Sequence, residues 1–177
     1  MMKSDVVRRS LLVLLATLCA GCALNDEGMS ARSLLAEEAA DRLAIAKLAI
    51  EFSYLLDHGR ADEVARLFTP DAVFENPQQG LRLVGRRSIG DYYARRARDP
   101  RTTRHVSTNL HLVFEAPDRA VGTRLITYYR GDGNGPPFPA QPGSVGEYTE
   151  VFVRGDDGQW RFALRRNELI FANRPKP

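Results

Sequence analysis

The chain changes character once, near Asp99–Pro100, and this change constrains its fold more than any other feature. Before it, apolar residues recur at helical spacing. After it, Thr103–Glu115, Ala120–Arg130, Val145–Arg154 and Gln159–Ala172 read as long strands. The joints Ala116–Arg119 and Gly155–Gly158 are short enough for hairpins, so the strands they connect run antiparallel. Gly131–Gly143 is rich in Gly and Pro and too long for a tight hairpin, which suits a lid or rim. Helices first and antiparallel strands afterwards specify an α+β single domain, a curved antiparallel sheet wrapped around N-terminal helices.

In the helical half, Leu35, Leu43, Ala46, Ile50 and Tyr54 lie along one stripe between about Leu34 and Leu56, widened by Leu48, Phe52, Leu55 and Leu56. Gly59 ends this helix. A short helix, Ala61–Phe68, stops at Thr69–Pro70–Asp71. Ala72–Glu75 and Leu81–Val84 read as short strands joined at Asn76–Gly80, and Ser88 is a candidate N-cap for a helix over Ser88–Arg98.

Two strands carry a phase conflict. In Thr103–Glu115, Val106, Leu110, Leu112 and Phe114 share one face, and His105, Ser107, Asn109 and His111 the other. In the last strand, Trp160, Phe162 and Leu164 are out of phase with Leu169 and Phe171. A bulge in each strand reconciles the pattern, and one between His105 and Leu110 turns His105 inward.

The N-terminus has the layout of an export signal: Lys3, Arg8 and Arg9, then the apolar run Leu11–Ala20, then Ala20–Gly21–Cys22. Ten apolar residues fall short of the about 20 needed to span a bilayer. Leu18–Cys22 is similar to a bacterial lipobox, with Cys19 where an aliphatic residue is usual and Cys22 as the lipidated residue; cleavage near Ala23 is the alternative. Residues 1–22 are therefore expected to be a leader and 23–33 a tether. Both cysteines lie in the leader, which excludes a disulfide or a cysteine metal site in the folded body. The formal charge is +3, of which the first ten residues carry two, and no basic face with interleaved aromatics suggests nucleic-acid binding. The arginines between Arg95 and Arg104 read first as a solvated helix end and second as an anion contact.

Asp57 near a helix end and His105 near a strand start make a candidate general-base pair, because a carboxylate fixes the imidazole tautomer and raises its basicity. Tyr54, three residues before Asp57, is a candidate for binding a substrate oxygen, and Asn109 for donating to an oxyanion or for knitting strands. His58 and His111 read as surface residues. Among Arg165, Arg166 and Asn167, at the phase break of the last strand, one is a candidate cavity-lining residue. The histidines lack metal-ligand spacing, and no phosphate loop, dinucleotide fingerprint or nucleophile elbow is present, so no metal and no cofactor are expected.

The phrases Tyr54–Phe74, Thr103–Asn109 and Asp157–Phe162, in this order, resemble SnoaL-like domains of the nuclear transport factor two-like superfamily. The resemblance covers residues 34–173 and is nearest to the branch of scytalone dehydratase and hexachlorocyclohexane dehydrochlorinase. It implies a cone-shaped fold with a mostly apolar cavity for a small, largely apolar molecule. Asp57 and His105 match the branch's paired aspartate and basic histidine. It implies cofactor-free dehydration, another elimination or isomerisation, and a possible homodimer. Such folds also host plain binders, and a non-catalytic ligand-binding or interaction lipoprotein of the cell envelope is the alternative. Ala23 and Leu24 after Cys22 resemble lipoproteins sorted to the outer membrane.

Overall fold

The computed structural model describes residues 32–132 and 135–173. The expected leader, Cys22 and most of the tether lie outside them; residues 32 and 33, assigned to the tether, are helical. The chain divides into two compact units, 1–41 and 42–177. Residues 32–41 are the described part of the first and are helical throughout, within helix α1 over residues 32–57.

In the second unit a 3-10 helix, Ala61–Leu67, leads into β1 (Phe68–Asn76). A single 3-10 turn, Pro77–Gln79, is capped by the Asn76 side chain and closed by Gly80 at φ 63°. Then come β2 (Leu81–Val84), α2 (Arg86–Arg96), β3 (Thr102–Ala116), β4 (Arg119–Gly131), β5 (Ser144–Arg154) and β6 (Trp160–Ala172). The N-cap of α2 is Gly85, not Ser88, which sits inside the first turn. Thr69–Pro70–Asp71, which follows the 3-10 helix, is an irregular stretch of β1, where its pairing with β6 shifts between Phe68 and Val73.

The six strands form one curved, open sheet in the order β2-β1-β6-β5-β4-β3. It is mixed rather than purely antiparallel, because β1 pairs with β6 in parallel. Hydrophobic alternation marks which residues are strand but not which distant strand lies alongside, so this pairing was invisible in the sequence.

The buried side of α1 is Ile45, Leu48, Ala49, Phe52 and Leu55, and the stripe first read from the sequence points outward: Leu43, Ile50 and Tyr54 are exposed. Tyr54 lies nine residues after Ile45, about two and a half turns, hence on the opposite side. Two apolar rows run along this helix, and only packing against the sheet selects one. Phe52 is the hub, edge-on to Phe68, Tyr93 and Phe162 at 5.5–6.1 Å between ring centroids. Burying each such ring contributes roughly 1.5–3 kcal/mol.

Both phase conflicts resolve as bulges. The β3–β4 register shifts between Thr108 and His111, and Asn109 adopts φ 56° there. Thr103, His105 and Ser107 are the less exposed positions before the shift, and Leu110, Leu112 and Phe114 after it. In β6 the partners of Val151 and Phe152 are Leu164 and Phe162, so Ala163 is extra and Arg165 joins Trp160 and Phe162 inside.

Candidate active site

Helix α1 ends at Asp57, and Gly59 with φ +74° turns the chain away in a conformation that a Cβ would strain. The start of β3 lies against this helix end, so Asp57 meets an otherwise unpaired strand edge. Its Oδ2 accepts the backbone N–H of His105 at 2.8 Å, and its Oδ1 lies 2.6 Å from His105 Nδ1. The Thr103 hydroxyl donates to Oδ1 at 3.0 Å, and Arg104 donates to the Asp57 carbonyl at 3.0 Å. The side chains of His105 and Asp57 are only 12% and 8% exposed, so bulk water screens the pair little.

Burial pushes the Asp57 carboxyl up, but the hydrogen bonds and charge of His105 and the Thr103 hydroxyl outweigh it and hold the group below its ordinary value. The carboxylate is therefore ionised near neutrality and only accepts. In the neutral imidazole Nδ1 must then carry the proton, and the Nε2 lone pair is the base. Tyr128, opposite His105 in the register, packs its ring 5.0 Å from the imidazole.

Two expected site residues are placed elsewhere. Tyr54 is exposed and stacks on His58 at 4.0 Å rather than facing His105. Asn109 is exposed; its contribution is the left-handed backbone of the bulge that keeps His105 inward. His58 and His111 are at the surface, as expected.

What the sequence concealed is a polar row across the inner face of the sheet. Ser107 accepts from Arg124 Nη1, and Arg124 donates to both Glu150 oxygens, at 3.0 and 3.2 Å. Glu150 is the cross-strand partner of Arg165, with Nε and Oε1 3.3 Å apart. Arg165 is fully buried, its guanidinium 3.4 Å from the Phe52 ring centroid and 4.1 Å from that of Tyr148. Among the described residues none of its three nitrogens has a hydrogen-bond partner, and Ser53 Oγ and Asn167 Oδ1 are likewise buried without one. Burial pushes the Arg165 pKa down, against the pull of Glu150. A buried cation with unused donors is costly unless something accepts from it, and an anionic or oxyanionic group meets that need. The bulge at Ala163 was the available signal, since it makes Arg165 the residue in phase with Phe162.

The pocket that reaches Asp57 has a volume of about 210 Å³ and is polar, not the apolar chamber expected. Asp57, Arg96, Asp99, Arg101, Thr102 and Arg104 supply most of its wall. The space between α1 and the sheet is instead filled by Phe52, Phe162, Tyr148 and the Arg165 guanidinium.

Three kinds of comparison bear on this geometry. No curated protein matches the sequence. Among solved structures, a putative scytalone dehydratase from Novosphingobium aromaticivorans is similar with a TM-score of 0.68 and 22% identity, covering 80% of this chain and 91% of that one. A protein of unknown function from Mycobacterium tuberculosis gives a TM-score of 0.67 and 25% identity, over 78% of this chain and 77% of that one. A hexachlorocyclohexane dehydrochlorinase from Novosphingobium barchaimii gives 0.63 and 21%, over 77% and 91%. These likenesses establish the shared fold. The model of the SnoaL-like domain matches residues 37–166, and the chain belongs to that family.

Proposed function

We propose that this SnoaL-like protein is a cofactor-free lyase or isomerase that acts on a small molecule by proton abstraction. The observation that carries the reading is the 2.6 Å contact of His105 Nδ1 with a buried, ionised Asp57, which leaves Nε2 as the base. His105 removes a proton from carbon. In an elimination the C–H electron pair becomes the new C=C bond, and the bond to the leaving group breaks with its pair. In an isomerisation the proton returns to another carbon. A base of this kind contributes about 10²–10⁴-fold. The dehydratase and dehydrochlorinase named among the similar structures support this class of chemistry.

The decisive experiment identifies the small molecule retained by the purified protein by native mass spectrometry, then incubates it in D₂O. Deuterium uptake or elimination by the wild type, and neither by His105→Ala, is expected. A ligand recovered unchanged and undeuterated from the wild type establishes the alternative, a binding lipoprotein of the cell envelope.

The export-type leader supports a second proposal: Cys22 is lipidated and anchors the protein in the outer membrane, facing the periplasm. Two acyl chains hold stably where one is marginal. Cys22→Ser is expected to move the protein from the detergent phase to the aqueous phase; unchanged partitioning overturns the anchor.

A further inference from the structure

We infer that the pocket formed by Arg96, Arg101 and Arg104 beside Asp57 is an anion subsite, which takes the carboxylate or phosphate of the small molecule handled at the neighbouring pair. The inference rests on the proposed reaction, because Asp57 belongs both to the pocket and to the pair with His105.

The pocket gathers the C-terminal end of α1, that of α2 and the start of β3, three places where arginine side chains converge. Two carboxylates, Asp57 and Asp99, face three guanidinium groups, which leaves one positive charge in excess. The carbonyl groups of the helix ends occupy few of these donors. Tyr54, Leu55, Tyr93, Arg95 and Arg96 carbonyls already accept backbone N–H groups. Arg104 spends one nitrogen, Nη1, on the Asp57 and Thr103 carbonyls. Among the described residues Arg96 makes only long contacts of 3.4 Å, to the Asp99 carbonyl and to Thr103. Arg101 is paired with Asp99 through Nη2, while its Nε is buried with no partner among them. Each guanidinium presents five donors in a planar fork that matches an oxyanion, so most of the donor capacity here is unspent. The Asp57 carboxylate keeps its charge, but His105 and Thr103 occupy its oxygens, so it does not compete with an anion for the arginine side chains. A volume of about 210 Å³ holds a small oxyanion together with water at about 30 Å³ per molecule.

The placement also orients a substrate. Tyr128, whose ring packs on His105, also helps to raise the Arg101 pKa. An acidic group held by Arg101 thus sits one side chain away from the base. The ligand is then an acidic small molecule, with its uncharged part toward His105.

The test is a titration of the isotope-labelled protein with sodium phosphate and, separately, with sodium acetate, against sodium chloride at matched ionic strength. The backbone amides of Ala97, Thr102 and Arg104 and the Nε–H signal of Arg101 are followed by NMR. Saturable shifts with phosphate point to a phosphorylated ligand, and with acetate to a carboxylic acid; no saturation beyond chloride in either arm overturns the subsite. Arg101→Gln is expected to weaken binding about tenfold and Arg96→Gln about threefold, with Arg130→Gln, an exposed arginine paired with Asp132, unchanged. Equal effects of all three variants overturn the assignment, and Arg96→Gln carries the test if Arg101→Gln fails to fold. His105→Ala is expected to keep anion binding within about threefold, so loss of the base and loss of the subsite are read separately.

Discussion

Asp57 holds His105 at two points at once, one carboxylate oxygen on the ring nitrogen at 2.6 Å and the other on the backbone N–H at 2.8 Å. Both partners are donors, so the arrangement needs two acceptors on one side chain, and only a carboxylate offers them. The grip fixes strand position and ring tautomer together.

Asp57→Asn is therefore a severe change despite its equal size. An amide has one acceptor and one donating end, so either orientation sets two donors against each other. The expected cost is about 1–3 kcal/mol of stability, together with a shift of the His105 proton from Nδ1 to Nε2 that removes the base. Imidazole ¹⁵N chemical shifts report the tautomer; an unchanged Nδ1–H form in the variant contradicts the assignment.

The pH dependence has a definite sign. The folded-state pKa of Asp57 lies below its ordinary 3.8. A depressed carboxyl contributes stability that is complete above the unfolded value and is lost as pH falls through the folded one. The stability advantage of wild type over Asp57→Asn is thus expected to shrink as pH falls below about 4, measured as urea midpoints. An advantage that grows as pH falls below about 4 would show the opposite shift.

Thr103 steadies the same carboxylate from the other side through its hydroxyl, 3.0 Å from Oδ1. Thr103→Val keeps the shape and loses the donor, with an expected loss of about 0.5–1.5 kcal/mol and a rise in the Asp57 pKa, whereas Thr103→Ser retains both. Thermal melts and NMR titration of the Asp57 carboxyl carbon distinguish the two.

The buried Arg124–Glu150–Arg165 triad gives opposite stability effects at two of its members. Glu150→Gln strands two buried cations and is expected to cost about 3–5 kcal/mol. Arg165→Met leaves Glu150 paired with Arg124, fills similar space without the desolvated charge and is expected to be neutral or stabilising. Denaturant unfolding of both variants checks the contrast.

Much was legible from local pattern. The four long strands, their hairpin joints, the Gly59 helix end and the bulge before Leu110 follow from alternation, turn chemistry and the phase break, all of which act between near neighbours in the chain. The pairing of Asp57 with His105 was suggested by residue type and by resemblance, and the bulge that allows it was written in the strand itself. What remained hidden depends on which surfaces meet. Helix α1 carries two apolar rows, and contact with the sheet, not periodicity, buries Ile45, Phe52 and Leu55 while exposing Leu43, Ile50 and Tyr54. The parallel β1–β6 pairing and the burial of Arg124, Glu150 and Arg165 arise between residues far apart in the chain. Charged residues read as surface in a linear sequence, because only tertiary packing decides whether a charge keeps its water or exchanges it for a partner. The residues near neighbours could specify were determined by the sequence alone; the inward polar row, the arginine pocket and the outward turn of Tyr54 were decided by the assembled sheet and helix.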